Sequence, residues 1–278
     1  MNNGAVPQGL AYLESSNIIL ISNYTTNGKN STITFLPLDS KENTFYRKIY
    51  EQNNSIHTGH VGGLTVGKDH LWISSKRGIY YCELSQVMNL PHLNVSSFPL
   101  KMRASFSTFH NSTLWIGEFG RSEGKYKTDE SKKRLTSSGV YNNAWALGYR
   151  INDINNFKSD EPDFILSIPD IMQGLAFNDD YLITSHSQGT KNPSILRLYS
   201  NPLNYPKDEV NEGTDLWILD DRYLLKEIIC PPMMEGITII NKSLYIIFES
   251  ASKKYINSAI DISKNLYIIP LENIIDKN

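Results

Sequence analysis

The chain has 278 residues, 40% of them apolar and 20% charged, with a formal net charge of −2. That composition specifies a globular protein able to bury a sizeable core. The near-neutral balance supplies no basic field for nucleic acid or an anionic membrane surface, and no apolar run approaches the roughly 20 residues of a membrane span.

The opening stretch, Met1 to Val6, has neither a basic n-region nor an apolar h-region, so no signal peptide is read in this chain. Cys82 and Cys230 have no metal-ligand spacing and make no disulfide framework; both lie in apolar text and are expected as buried free thiols. The short basic run at 132–134 reads as a solvated loop.

Internal repeats decide the architecture. The first unit opens on Gln8-Gly9-Leu10-Ala11-Tyr12, turns at 15–17 and returns along 18–23, with strands expected at 32–38 and 45–50. A second opens on Gly62-Gly63-Leu64-Thr65-Val66 and turns at 67–69; its later strands are expected at 70–75, 78–84 and 97–101. The third begins Ala104-Ser105-Phe106-Ser107-Thr108, returns along 113–118, and resumes at 144–151 and 162–168 after an insertion at 120–143. The fourth begins Gln173-Gly174-Leu175-Ala176-Phe177 and returns along 181–185. Its third strand is 194–199 or 215–219, around an insertion at 200–214, and its fourth is 222–229. The fifth begins Glu235-Gly236-Ile237-Thr238-Ile239, returns along 244–249 and ends at 265–270, which leaves its fourth strand to residues upstream of Val6.

β-branched and aromatic residues dominate these runs, and the turns carry Asn, Asp and Gly, which tolerate positive φ. Four antiparallel strands per unit is the blade of a propeller. The fold class is therefore all-β, one β-propeller over 1–278, with five blades at about 6–59, 60–102, 103–170, 171–231 and 232–278. A six-bladed alternative places a degenerate blade around 194–220. The recurring glycine (Ser105 in the third unit) fits an innermost strand, where a missing side chain lets neighbouring backbones approach.

Start of strand one and end of strand two share one rim of the central channel, and functional loops cluster on such rims. That rim collects Gln8, His60, Arg103, Gln173 and Glu235 from the starts, and Tyr24, Lys76, Glu118, His186 and Glu249 from the ends. Converging carboxylates at Glu118, Glu235 and Glu249 must be paired, protonated or bound to a cation; oxygen donors of this kind suit Ca²⁺, which makes Glu235, Glu249 and Glu118 the metal-ligand candidates. Glu235, Glu118, His60 and His186 are the catalytic candidates. Gln8, Tyr24, Lys76, Arg103 and Gln173 are the substrate-binding candidates. No nucleophile elbow, zinc-protease helix, phosphate loop or dinucleotide fingerprint is present. Trp72, Trp115, Trp145 and Trp217 stand at strand positions and are expected in the core, with Trp145, like Tyr24, Phe119 and Tyr126, the alternative candidate for stacking on a sugar or ring.

Pro7-Gln8-Gly9-Leu10, His60-Val61-Gly62-Gly63, Leu114-Trp115-Ile116-Gly117-Glu118-Phe119, Gln173-Gly174-Leu175-Ala176 and Glu235-Gly236-Ile237 with Phe248-Glu249-Ser250-Ala251 resemble a group of bacterial secreted propeller proteins. More distantly the chain is similar to the propeller superfamily of gluconolactonase, paraoxonase and strictosidine synthase. That resemblance implies a Ca²⁺ or a catalytic Glu at the channel mouth and a secreted or periplasmic setting, with a cytoplasmic one as the alternative. The usual Glu, Asn and Asp ligand set of the superfamily is not matched position by position here.

Two functional readings follow. One is an extracytoplasmic enzyme, hydrolase or lyase, acting on a small polar substrate at the mouth. The other is a non-catalytic propeller that binds a carbohydrate, peptide or partner protein. A small polar ligand in the axial pocket and a monomeric state are expected.

Overall fold

A computed structural model describes residues 4–39 and 43–275. In chain order the strands are β1 (Ala5–Leu13), β2 (Ile18–Thr25), β3 (Thr32–Pro37), β4 (Phe45–Glu51), β5 (Gly63–Gly67), β6 (His70–Ser75), β7 (Gly78–Glu83) and β8 (Leu93–Pro99). They continue with β9 (Phe106–His110), β10 (Thr113–Gly117), β11 (Arg134–Leu135), β12 (Tyr141–Asn142), β13 (Ala144–Arg150), β14 (Phe164–Ile168), β15 (Met172–Phe177) and β16 (Tyr181–His186). The last are β17 (Ser194–Ser200), β18 (Glu209–Asn211), β19 (Thr214–Ile218), β20 (Leu224–Cys230), β21 (Met234–Ile240), β22 (Ser243–Phe248) and β23 (Tyr267–Pro270). Two short helices, α1 (Leu84–Asn89) and α2 (Leu271–Ile275), flank β7 and β23. No helix among the described residues is long and apolar enough to cross a membrane.

Antiparallel meanders β1-β2-β3-β4, β5-β6-β7-β8, β9-β10-β13-β14, β15-β16-β17-β20 and β21-β22-β23 radiate from a central channel. The chain is a β-propeller. The innermost strands β1, β5, β9, β15 and β21 pack side by side around the axis, and β21 meets β1 to close the circle.

Glycine makes that approach possible. A Cβ on Gly9 would stand 2.7 Å from the Leu64 nitrogen, one on Gly63 2.4 Å from the Ser107 nitrogen, and one on Gly236 2.6 Å from the Gln8 oxygen. Second-strand serines tie neighbours together in the same layer: Ser22 Oγ donates to the Val61 carbonyl at 2.7 Å and Ser185 Oγ to the Glu235 carbonyl at 2.8 Å.

Second strands are covered on both faces by adjacent meanders, so they read as continuous apolar runs such as Ile18-Ile19-Leu20 and Leu71-Trp72-Ile73, all buried. Each such aliphatic side chain contributes about 1.5–3 kcal/mol on burial. Outer strands alternate instead, as β20 does, because one face is wet. Trp72 and Trp115 are buried in the core, as expected, and Trp115 packs on Phe177 of the next meander at 5.4 Å between centroids. Cys82 is buried and Cys230 half-buried, both free, and burial pushes the Cys82 thiol up to about 12.

Some boundaries differ from expectation. Residues 215–219 do not complete the fourth meander; β19 pairs in parallel with β14 of the third, while β17 and β20 serve the fourth. Segment 194–220 is thus divided between two sheets and forms none of its own among the described residues. In the second meander the outer strand starts at Leu93, earlier than residue 97, because it pairs in parallel with β4 and so fuses the first two meanders into one sheet. The expected fourth strand upstream of Val6 falls largely on residues 1–3, outside the described residues; Ala5 already belongs to β1.

Candidate functional site

Three inner strands break register at their entrance to the channel: β1 between Pro7 and Leu10, β15 between Met172 and Gly174, and β21 between Met234 and Ile237. These β-bulges hold Gln8, Gln173 and Glu235, and a bulge re-aims the side chain it carries. Positive φ at Ile171 (+57°) and Met233 (+69°), two residues before Gln173 and Glu235, marks the sharp entry. Below them the channel narrows to a void of about 10 Å³ walled by residues such as Gly9, Gly63, Gly174 and Gly236. That is room for one water at most.

At this mouth β21 and β22 bring Glu235 and Glu249 together. Glu235 is buried and hydrogen-bonds Glu249, which is partly open to solvent. Burial disfavours both anions, and the adjacent like charge adds to it for Glu235, whose carboxyl is held well above its ordinary value. Burial pushes Glu249 up to about 7, against the opposing pull of its hydrogen bonds to Glu235 and Gln8 and of the Lys254 ammonium. Both carboxyl groups therefore hold their protons above the ordinary carboxylate range. Gln8, from the bulge of β1, donates Nε2–H to Glu249 Oε2 at 2.9 Å and to its neighbour's carbonyl, Pro7 O, at 2.8 Å.

Segment 249–266, between β22 and β23, roofs this pair. Its turns, with Ile256 N donating to Ser252 O at 2.9 Å and Ser263 N to Ser250 Oγ at 3.0 Å, set Lys254 and Tyr255 over the rim. Lys254 Nζ donates to Tyr24 Oη at 2.7 Å, and Tyr24 Oη lies 3.3 Å from Tyr255 Oη. The ammonium also stands over both rings, 5.0 Å from the centre of Tyr24 and 4.5 Å from that of Tyr255. Burial, then the Tyr255 hydrogen bond and the Glu249 charge, raise the Tyr24 phenol far above its usual value, so it stays protonated. His60 stacks on Tyr24 at 4.2 Å between centroids with its outer face open. Its place in the packed rim, and then the Lys254 and Lys125 ammoniums, lower it to about 4, so it is neutral at physiological pH.

Of the residues expected at the rim, the structure brings Gln8, Tyr24, His60, Glu235 and Glu249 into one group. Gln173 occupies its own bulge, with Nε2 donating to the Ser187 carbonyl at 3.5 Å. Glu118 stands apart: it is buried against Lys132 of the 120–143 insertion and accepts from the Trp145 amide at 3.4 Å. Arg103 donates to the Lys125 carbonyl at 3.0 Å and lies over the Tyr126 ring, beside Glu118 and away from the Glu235–Glu249 pair. Lys76 pairs with Glu51 at 3.5 Å on the outer surface. His186 is fully enclosed; Nε2 meets Thr184 Oγ1 at 2.7 Å, Nδ1 meets Asp170 O at 3.3 Å, and burial lowers it to about 3. His186 thereby ties β16 to the connection between β14 and β15.

Lys254 and Tyr255 complete the group and are absent from the sequence-derived rim. The signal available was the gap between the second and third strands of the last unit, polar and Ser/Lys-rich, and longer than the matching gaps of the first, second and fourth units. Against Ca²⁺, which takes about 6–8 oxygens, the mouth sets two carboxyl groups, one carboxamide and an ammonium close by. No three His, Cys, Asp or Glu side chains among the described residues gather to hold a metal ion. This donor set fits a proton and does not fit Ca²⁺.

No known family model matches the chain, and no curated protein matches it in sequence. Solved structures do match in fold. The glutaminyl cyclase of Myxococcus xanthus aligns at a TM-score of 0.50 and 9% identity, over 88% of this chain and 87% of that one. The RS223 β-xylosidase aligns at 0.47 and 7%, over 88% and 86%, and a gluconolactonase of Xanthomonas campestris at 0.44 and 13%, over 89% and 84%. At such identities the likeness to these structures is one of fold alone.

Proposed function

We propose that this chain is a five-bladed propeller enzyme that uses the Glu235–Glu249 pair for acid–base chemistry on a small polar substrate at the channel mouth, of hydrolase or lyase type. The observation that supports this reading is the placement of Glu235 and Glu249 together at the mouth, with burial raising Glu249 to about 7. An acid–base group works best when its pKa lies near the working pH. Glu249 is the partly open member and exchanges the proton with substrate; Glu235 is buried and tunes it. Lys254 stabilises negative charge developing on a substrate oxygen, Tyr24 donates, and neutral His60 offers an open imidazole for hydrogen bonding. The chain acts as a monomer and, following its resemblance to secreted bacterial propellers, outside the cytoplasm; fractionation of the native cells tests that setting.

The test is turnover of a panel comprising a sugar lactone, an aryl ester, an aryl glycoside and a peptide with an N-terminal glutamine, on the wild type, Glu249→Gln and Lys254→Met. Turnover of one class that vanishes in Glu249→Gln supports the reading. No turnover of any class, with Glu249→Gln also leaving the pH dependence of stability unchanged, contradicts it.

One observation favours a second reading, a binding propeller: the larger clefts lie beside the 120–143 insertion and not at the mouth.

A further inference from the structure

The cleft between the β6–β7 turn, residues 101–103 and the 120–143 insertion has a volume of about 440 Å³. That is within the range of about 300–1,000 Å³ typical of small-molecule sites. Its walls carry Arg77, Lys101, Arg103, Lys127 and Lys132 against two carboxylates, Glu118 and Asp129. Glu118 is taken by Lys132, and Lys127 by Glu130 at 2.9 Å. The Asp129 carboxylate accepts from the Ser131 amide at 2.9 Å. Arg77, Lys101 and Arg103 remain, with no anionic partner among the described residues.

Each guanidinium is held by one carbonyl, Arg77 by Lys101 O at 3.3 Å and Arg103 by Lys125 O at 3.0 Å. Their other N–H groups are uncommitted. Arg103 is braced on the Tyr126 ring at 5.3 Å, and Tyr126 in turn on Phe119 at 5.0 Å. A braced guanidinium loses little freedom on binding and presents two parallel donors, the geometry that carboxylate and phosphate oxygens accept. Three unneutralised cations in one cleft stand out in a chain whose net charge is −2. The cleft exceeds the volume of a bare oxyanion several-fold, and Met102 and Phe119 add apolar wall for an organic body.

We propose that this cleft binds a small organic anion carrying at least two negative charges, a polycarboxylate or a phosphate monoester, through Arg77, Lys101 and Arg103. The site is separate from the Glu235–Glu249 pair and does not rest on the acid–base reading. Charge attraction at a partly open cleft is screened by salt, so the affinity falls as ionic strength rises.

Calorimetric titration of the whole chain with citrate, glucose 6-phosphate, inorganic sulfate and glucose tests this. Saturable binding of citrate or glucose 6-phosphate is expected, weakened at least tenfold in Arg103→Ala and in Arg77→Ala and partly restored in Arg103→Lys. Citrate alone assigns a polycarboxylate site, and glucose 6-phosphate alone a phosphate-ester site. Glu249→Gln is expected to bind as the wild type does, which separates this site from the mouth. Arg77 is exposed, so its removal leaves the fold intact. Failure of both organic anions to bind, equal affinity for sulfate, undiminished binding in both arginine variants, or loss in Glu249→Gln overturns the proposal.

Discussion

Gln8 donates to Glu249 at 2.9 Å, joining the first inner strand to the end of the last second strand, 241 residues away in sequence. One hydrogen bond thus links the closure of the circle to the state of the titrating pair. Gln8→Ala leaves the half-buried Glu249 Oε2 without its donor, a loss of about 1 kcal/mol. Urea unfolding is expected to show that loss at pH 7. Gln8→Glu adds a third carboxyl group to the pair, and its deficit grows as pH rises.

The glycine layer predicts a second stability effect. Gly236→Ala drives a methyl to 2.6 Å from the Gln8 carbonyl, a backbone atom unable to give way without moving β1. Overpacking of this kind costs about 1–3 kcal/mol. Gly28→Ala is the control for space, since nothing lies within 4 Å of a Cβ there, although φ of +69° strains it. The midpoint of Gly236→Ala is expected to fall further than that of Gly28→Ala.

Stability should depend on pH in a specific direction. Glu235 and Glu249 hold their protons more tightly folded than at the unfolded value of 4.5. From 4.5 up through about 7 the native chain therefore binds more protons than the unfolded one, and this pair makes stability fall as pH rises. His60 and His186 act oppositely: their folded values of about 4 and about 3 lie below 6.5, so their contribution is lost as pH falls below 6.5. Above 6.5 only the carboxyl effect remains. Thermal melts are expected to decline toward about 7 in the wild type and less steeply in Glu249→Gln, where Glu235 alone remains raised by burial. An identical decline in both would show that another group titrates.

Lys254 lowers both carboxyl groups of the pair. Lys254→Met is therefore expected to move the Glu249 titration above about 7, followed by carbon-detected NMR of labelled glutamate. A shift downward would mean that the ammonium does not face the pair.

Melts with EDTA and with added Ca²⁺ are expected to share one midpoint, because the mouth offers too few free oxygens. An ion that raised the midpoint in the wild type and not in Glu235→Gln would show native-state binding through linkage and restore the metal reading.

The sequence carried the fold through the glycine column and the apolar second strands, both of which follow from packing around one axis. It carried five residues of the mouth because Gln8, His60 and Glu235 lie just before the column glycines and Tyr24 and Glu249 lie at the ends of second strands. Glu118 occupies the matching offset in the third unit and still departs, since the 120–143 insertion supplies Lys132 to neutralise it. His186 ends its strand as expected but turns toward Thr184 and Asp170, a choice of side-chain direction that spacing does not encode. Lys254 and Tyr255 ride a segment with no periodicity, positioned by tertiary contacts such as Ile260 N to Thr190 O, so no local pattern announces them.

The proposed chemistry requires a proton held between Glu235 and Glu249 above the ordinary carboxylate range. Infrared difference spectroscopy of the carboxylic-acid carbonyl band, recorded across a pH titration of wild type and Glu235→Gln, tests it most directly. A protonated carboxyl band that persists well above 4.5, titrates in part at about 7, and is diminished at neutral pH in Glu235→Gln is the predicted result. Complete loss of the band near 4.5 in the wild type would show two independent carboxylates and contradict the account.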